Sequence, residues 1–454
     1  MSGSSGEKPI IALIISDLFH ARSVFETRII DPLKESFEVV IICTIEVFKI
    51  YEKTLEQYEY HFFEISPGIK NLSNRIMNAG AFRFKSRSSS FRYRIKRRIN
   101  ESERFNHSRI SLFSLKKLSK VIIWSKLFID GQILYRSYLI PRYRKLLESN
   151  SNLWRLFQEV KPNAVVIWSQ SMEPSSSSAV RISRLLKIPS ILVADNWDNL
   201  FSKTVLIEKP DLVGCFGMQG VNFGAKLHDI PIENVIPLGS ARFEIYRDQN
   251  TVFEHRDIVL YAGSSIVSED ERVLRTMLKV KNDLDKATRT ALVWKYRPHP
   301  FPQKSSSDLA GILGEFTDLH IESVKGIEKS PPPWPRLGDS VDELARTRIA
   351  VCMPSSYLLE VRINGVEVIV PAFEDNSEVT SCKTLLSSLE HLKGLNSLTG
   401  VTMASSEAEL ESSLLRGIIT PSFPPPDKTL DWFVQWSGEG FGRNLKAAVR
   451  RVLE

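Results

Sequence analysis

A chain of 454 residues, 43% hydrophobic and 25% charged, has a globular composition and the length of two or three domains. Its four cysteines (Cys43, Cys215, Cys352 and Cys382) form no CxxC pair. That argues against a disulfide framework or zinc site and for buried thiols in a reducing compartment. Apolar runs such as Ile10 to Ile15 are too short to cross a bilayer, and the start lacks a basic leader, so a cytoplasmic protein is expected.

In chain order, strand candidates come first at 10–15, 38–45, 164–169, 190–194 and 212–217, with helical patterns after His20 and at 176–187. Their nearly continuous apolar character suits parallel strands covered on both faces. The segment 65–150 breaks this rhythm and reads as a helical insertion. Within it, RFKSRSSSFRYRIKRR (83–98) carries eight basic residues and no acids, so one local feature makes the chain basic, at a formal charge of +7. A polar, aperiodic stretch at 245–256 reads as a linker. Strands resume at 257–263, 291–296, 318–323, 348–353 and 366–373, with helices at 269–281, 356–364 and 406–416. The alternation predicts an α/β protein of two Rossmann-like, doubly wound domains facing a cleft. Their expected bounds are 1–245, with the insertion at about 65–150, and 257–425, before a helical segment at 426–454.

Ligands of open α/β sheets sit beyond the carboxyl ends of the strands. Three polar clusters stand there in the second half: Gly263-Ser264-Ser265, then Arg297-Pro298-His299-Pro300, then Ser355-Ser356 with Glu360 one turn on. Each has an ordinary alternative. The serines serve equally as helix N-caps, and Glu360 as a solvated helix residue. Together they suit a nucleotide phosphate. Serine hydroxyls and free N–H groups at a helix start attract anions, arginine offers paired donors, and histidine donates near neutral pH. Glu360 is placed to accept from ribose hydroxyls. The prolines on both sides of His299 restrict its backbone and aim the ring at low entropic cost.

RPHP, followed some fifty residues later by PSSYLLE and GVEVIVP, resembles the paired motifs of GT-B glycosyltransferases. The likeness is to bacterial sialyltransferase-like, Kdo transferase-like and CDP-glycerol glycerophosphotransferase-like enzymes. DNWDNLFSK (195–203), KPD (209–211) and LGSARFE (238–244) are similar to first-domain motifs of surface-carbohydrate enzymes. The resemblance covers roughly 160–375 and implies a GT-B fold. On it, His299, Ser355 and Ser356 hold the donor phosphate. Retaining relatives have two glutamates with seven residues between them. Glu360 and Glu367 have six between, which favours inversion.

Inverting transfer needs a base to take the acceptor's proton. Asp17 and His20 follow the first strand, and Asp198 follows a later one. The ordinary readings are that Asp17 caps a helix and that DNWDN is a polar turn packing Trp197. Asp195, Asn196, Asn199, Lys203 and Arg242 are candidates for contacting acceptor or sugar. No DxD sequence stands at a strand end, so neither metal nor other cofactor is expected, with side-chain and dipole charges acting on the leaving phosphate.

The basic run at 83–98 reads as a solvated loop or as a contact with an anionic membrane surface, and nucleic acid is not an expected partner. The expected protein is a glycosyltransferase at the inner face of the plasma membrane. It takes a nucleotide sugar, with a CMP-activated acidic sugar leading, and a surface-polysaccharide or lipid-linked glycan acceptor. UDP- or GDP-sugar transfer and CDP-glycerol-type phosphotransfer are alternatives, as is an inactive nucleotide-binding assembly partner. A UDP-sugar 2-epimerase shares the two-domain plan but needs more acidic groups around a sugar than the sequence places.

Overall fold

The computed structural model describes residues 7–64, 69–104, 113–149, 152–169, 173–203, 205–247, 256–263, 267–297, 320–321, 336–373 and 381–454. The chain forms two compact units. The first comprises Met1–Glu244, Leu389–His391 and Trp432–Glu454, and the second Ile245–Ser388 and Leu392–Asp431.

Among the described residues, the first unit holds a seven-stranded parallel sheet in the order β3-β2-β1-β4-β5-β6-β7. The strands are β1 (Ile10–Ile15), β2 (Glu38–Cys43), β3 (Glu59–Phe62), β4 (Ala164–Ser169), β5 (Ser190–Ala194), β6 (Leu212–Cys215) and β7 (Val235–Pro237). The order reverses between β1 and β4, which pair from Ile11 with Ala164 to Ile14 with Ile167. Side chains alternate along β1, so Ile11, Leu13 and Ile15 enter one core while Ala12 and Ile14 enter the other. The first of these cores is completed by the helix Phe441–Leu453, through Phe441, Leu445, Ala448 and Val449.

The expected insertion is helical: Ile69–Arg83, Ser89–Arg104, Phe113–Phe128, a π-helical Ile129–Leu139, and Ile140–Ser149. Buried Asp130 fixes it internally by accepting two bonds from the Arg75 guanidinium, at 2.8 and 2.5 Å. Buried Glu208 accepts from Arg144 at 2.5 Å, tying the insertion to the rest of the unit. The returning Leu389–His391 brings Glu390 to the start of Ser89–Arg104. There its carboxylate accepts from the Ser89 N–H at 3.0 Å and the Ser88 hydroxyl at 2.6 Å, satisfying otherwise unpaired donors of a helix N-terminus.

The second unit holds, among the described residues, a six-stranded parallel sheet in the order β10-β9-β8-β11-β12-β13. Its strands are β8 (Ile258–Ala262), β9 (Val293–Arg297), β10 (His320–Ile321), β11 (Thr347–Cys352), β12 (Val368–Pro371) and β13 (Val401–Ala404). Its order reverses between β8 and β11. Helices Val267–Asp283 and Glu407–Ile419 cover one face through Val273, Leu274, Met277, Leu410 and Leu414. β3, β7 and β13, which the apolar pattern does not announce, lie at sheet edges. All four cysteines are buried and none forms a disulfide. No helix among the described residues is long and apolar enough to cross a membrane.

Candidate active site at the strand ends

In the first unit, polar groups gather where the strand order reverses, the position at which doubly wound sheets hold ligands. Asp17 follows β1 and caps the helix Leu18–Phe25, its Oδ1 accepting the His20 N–H at 2.9 Å. The cap also places its carboxylate beside the histidine ring. His20 Nδ1 lies 3.3 Å from Asp17 Oδ1 and 3.4 Å from Ser16 Oγ. The other ring nitrogen, Nε2, is 3.9 Å from Glu173 Oε1 and has no hydrogen-bond partner among the described residues. The His20 side chain is wholly buried, whereas that of Asp17 is 44% exposed.

Glu173, which the sequence reading missed, precedes the helix Pro174–Leu186. Its carboxylate accepts from Ser169 Oγ, at the end of β4, at 3.1 Å and from Ser16 Oγ at 3.4 Å. Asp195, just past β5, is buried to 1% exposure. Burial pushes its carboxyl up to about 6, against the pull of His20 and Arg242. Its Oδ2 has no hydrogen-bond partner among the described residues. Arg242 is itself buried, its guanidinium 5.8 Å from the Phe19 ring and 5.0 Å from that of Phe243. Buried Asn199 donates to the Ser169 carbonyl at 3.0 Å. His20, Arg242 and Asp17 thus all act on Asp195, while Glu173, absent from the expected set, stands against His20 and shares Ser169 with Asn199.

Asp198 and Lys203 form a separate pair at 3.0 Å. Burial raises the Asp198 carboxyl, but Lys203, His391 and Ser202 outweigh it and hold it below the usual carboxylate range. An anion so stabilised is a weaker proton acceptor than an ordinary carboxylate. Asn196 spends its side-chain oxygen on the Trp197 N–H at 3.0 Å. Among the described residues, Asp17, His20 and Glu173 also form the group that could hold a cation, each offering a ligand atom within 4.8 Å of the others. Sequence spacing could not reveal this trio, since 152 residues lie between His20 and Glu173.

In the second unit, Ser264, Ser265, His299 and Pro300 lie outside the described residues. Buried Asp270 accepts from Tyr261, in β8, at 2.6 Å and from Tyr296, in β9, at 2.8 Å, and the two rings stack 5.4 Å apart. Burial and the neighbouring carboxylate raise the Tyr296 phenol well above its ordinary value. Gly263 sits against this network, where a Cβ would come within 2.8 Å of the Tyr296 ring. Arg297 stands 3.6 Å from Glu343 and 4.3 Å over the Tyr357 ring. Ser355 occupies the N-cap of the helix Ser356–Ile363, yet its side chain makes no capping bond. Glu360 is buried rather than solvated and accepts from the Tyr246 hydroxyl at 3.1 Å.

No protein-family model and no curated protein sequence matches the chain. Solved structures do. One is the UDP-GlcNAc 2-epimerase from Methanocaldococcus jannaschii, at TM-score 0.52 and 11% identity, covering 98% of this chain and 99% of that one. Another is the Neisseria meningitidis enzyme bound to UDP-GlcNAc, at TM-score 0.50 and 10% identity, covering 98% and 99%. A third, from Listeria monocytogenes and described under the same activity, gives TM-score 0.53 and 11% identity over 98% and 97%. At such identities the likeness is one of fold, the two Rossmann-like domains of the GT-B architecture.

Proposed function

We propose that the protein is a nucleotide-sugar-dependent glycosyltransferase of inverting type. The observation that carries this reading is the sealed histidine between two carboxylates at the strand-order reversal, His20 beside Asp17 and Glu173. Asp17 is the base, since its side chain reaches solvent while its oxygen is steadied by the His20 backbone. Buried His20 stands against it, with the Glu173 carboxylate 3.9 Å beyond the far side of the ring. Asp195, protonated more readily than an ordinary carboxyl, and Arg242 border the sugar. In the second unit, Arg297, Ser355 and Ser356, with Ser264, Ser265 and His299, take the donor phosphate, and Glu360 the ribose. The preferred donor is a CMP-activated acidic sugar, following the resemblance of RPHP and PSSYLLE, and the acceptor a surface or lipid-linked glycan. No metal is required, so transfer persists in EDTA. Loss in EDTA that manganese restores would instead make Asp17, His20 and Glu173 metal ligands.

Two measurements test this. Calorimetry of CMP, CDP, UDP, GDP and ADP with wild type and His299→Ala should find one nucleotide bound selectively and weakened in the variant. Failure of every nucleotide to bind overturns the donor site. Release of that nucleotide from its sugar, with water in the acceptor's place, should then depend on Asp17.

Glu173, joined to Asp17 and Asp195 around His20, also favours a second reading, a UDP-sugar 2-epimerase, because it adds the further acidic group that the sequence alone did not place. Inverting C2 breaks the C2–H bond. Incubating UDP-GlcNAc with the protein in D2O, with no acceptor, therefore separates the two. Deuterium at C2 and a new 2-epimer in the proton spectrum establish the epimerase, and an unchanged spectrum retains the transferase.

A further inference from the structure

The helical insertion leaves a ridge of large apolar side chains in solvent. Val121, Ile122, Trp124, Phe128, Ile129 and Ile133 lie along Phe113–Leu139, with Val121, Ile122 and Ile133 each close to 60% exposed. Scattered single apolar residues are ordinary on a surface, but six within thirteen positions of one helical rod are not. Trp124 adjoins a groove of about 260 Å³ whose other walls are Lys85, Arg92, Ile95, Lys96 and Ile99. Lys85 places its ammonium 4.9 Å from the Trp124 ring.

The basic run at 83–98 divides accordingly. Arg83 donates to the Gly131 carbonyl, Arg94 to the Ser202 and Lys203 carbonyls, and Arg87 pairs with Asp229. These three fasten the insertion. Lys85, Arg92 and Lys96 border the apolar groove, Arg92 also donating to the Lys85 carbonyl at 3.4 Å. Residues 113–149 hold eight lysines and arginines against two acids, Asp130 and Glu148. Both acids are already paired, with Arg75 and Arg181. The surroundings of the ridge are therefore cationic.

We infer that this face docks on an anionic lipid bilayer, the apolar ridge entering the headgroup boundary and Lys85, Arg92, Lys96 and Lys126 meeting lipid phosphates. A tryptophan at the edge of an apolar strip with a cationic rim is the arrangement an interfacial helix needs. The charge asymmetry selects this occupant. A neutral apolar partner has no use for the cationic rim, and a second copy would set the rim against its like. The inference is independent of the catalytic reading above.

Sedimentation of the purified full chain with vesicles of phosphatidylcholine containing 30% phosphatidylglycerol tests it, with pure phosphatidylcholine as the control. Wild type should sediment with the anionic vesicles only, and release in 0.5 M salt. Val121→Ser/Ile122→Ser/Ile133→Ser should bind at least tenfold more weakly. Arg92→Gln/Lys96→Gln should lose about 30-fold. These side chains are largely solvent-facing, so circular dichroism should show both variants folded. Equal binding to both vesicle types, or undiminished binding by the triple variant, overturns the inference. So does a wild-type dimer in gel filtration that the triple variant breaks while neither binds vesicles, which would identify the cover as a second copy.

Discussion

Asp17 holds His20 twice over, its Oδ1 accepting the histidine's backbone N–H at 2.9 Å and lying 3.3 Å from the ring's Nδ1. One carboxylate thus starts a helix and shares the electrostatic surroundings of a buried imidazole. This dual role makes the choice of variant decisive, because asparagine caps a helix as well as aspartate does but takes up no proton.

Asp17→Asn should therefore keep the wild-type melting temperature within a degree or two while cutting nucleotide release or sugar transfer by about 10²- to 10⁴-fold. Substrate affinity should change little. Nucleotide-release kinetics together with a melting curve decide the matter. A variant of wild-type rate removes Asp17 from proton transfer, and a variant that melts early with normal rate leaves it only the cap.

Asp195 carries a pH signature in stability. Its carboxyl stands at about 6 when folded, against 3.8 for an ordinary one. Below 3.8 the group is protonated in both folded and unfolded chains and makes no difference. As pH rises through 6 the unfolded chain gains more from ionisation, so folding loses on the order of 3 kcal/mol. Asp195→Asn should thus be more stable than wild type at pH 7.5 in urea unfolding, with the gain shrinking as pH falls toward 4. A variant less stable at pH 7.5 would contradict this account.

His391 gives the opposite slope. It packs edge-on to Trp197 with ring centroids 5.1 Å apart, and burial pushes it down to about 4. Neutral above its unfolded value near 6.5, it contributes fully there, and that contribution is lost as pH falls from 6.5 through 4, about 3 kcal/mol in all. His391→Phe keeps an aromatic ring against Trp197. It should match wild type at pH 7.5 and outlast it at pH 4.5 in thermal melts, and equal losses on acidification would rule out the histidine as a cause.

Tyr296→Phe removes one of the two hydroxyls that Asp270 accepts, leaving a buried carboxylate with fewer partners. The expected cost is about 2 kcal/mol in urea unfolding. Nucleotide binding by calorimetry should weaken as well, because Tyr296 immediately precedes Arg297 and adjoins Gly263. Unchanged affinity in a destabilised variant would confine the network to packing.

The parallel strands β1, β4, β5, β8 and β11 were legible because both faces are covered, so their sequences are unbroken apolar runs. β3 escaped because it is a partly exposed edge strand reading Glu-Tyr-His-Phe. β7 escaped because it has only three residues and ends in proline, which removes a ladder donor. In the site, Asp17 and Asp195 were legible as the first acids beyond strands. Glu173 follows β4 by four residues and reads in sequence merely as the residue before Pro174, a helix start. Only folding brings its carboxylate to Ser16 and Ser169. The burial that tunes Asp195 is likewise a product of packing with no local pattern.

The helix Phe441–Leu453 belongs to the unit built from the first 244 residues, and Phe441, Leu445 and Val449 fill its core beside β1. On a ribosome, the earliest strands thus emerge long before their final cover exists. The first unit must wait, with an apolar sheet face open, until the second has been made. Its folding is post-translational in effect, and an expression fragment ending near 244 should be insoluble although its sheet is complete. Chaperone demand during synthesis should fall chiefly on this half of the chain.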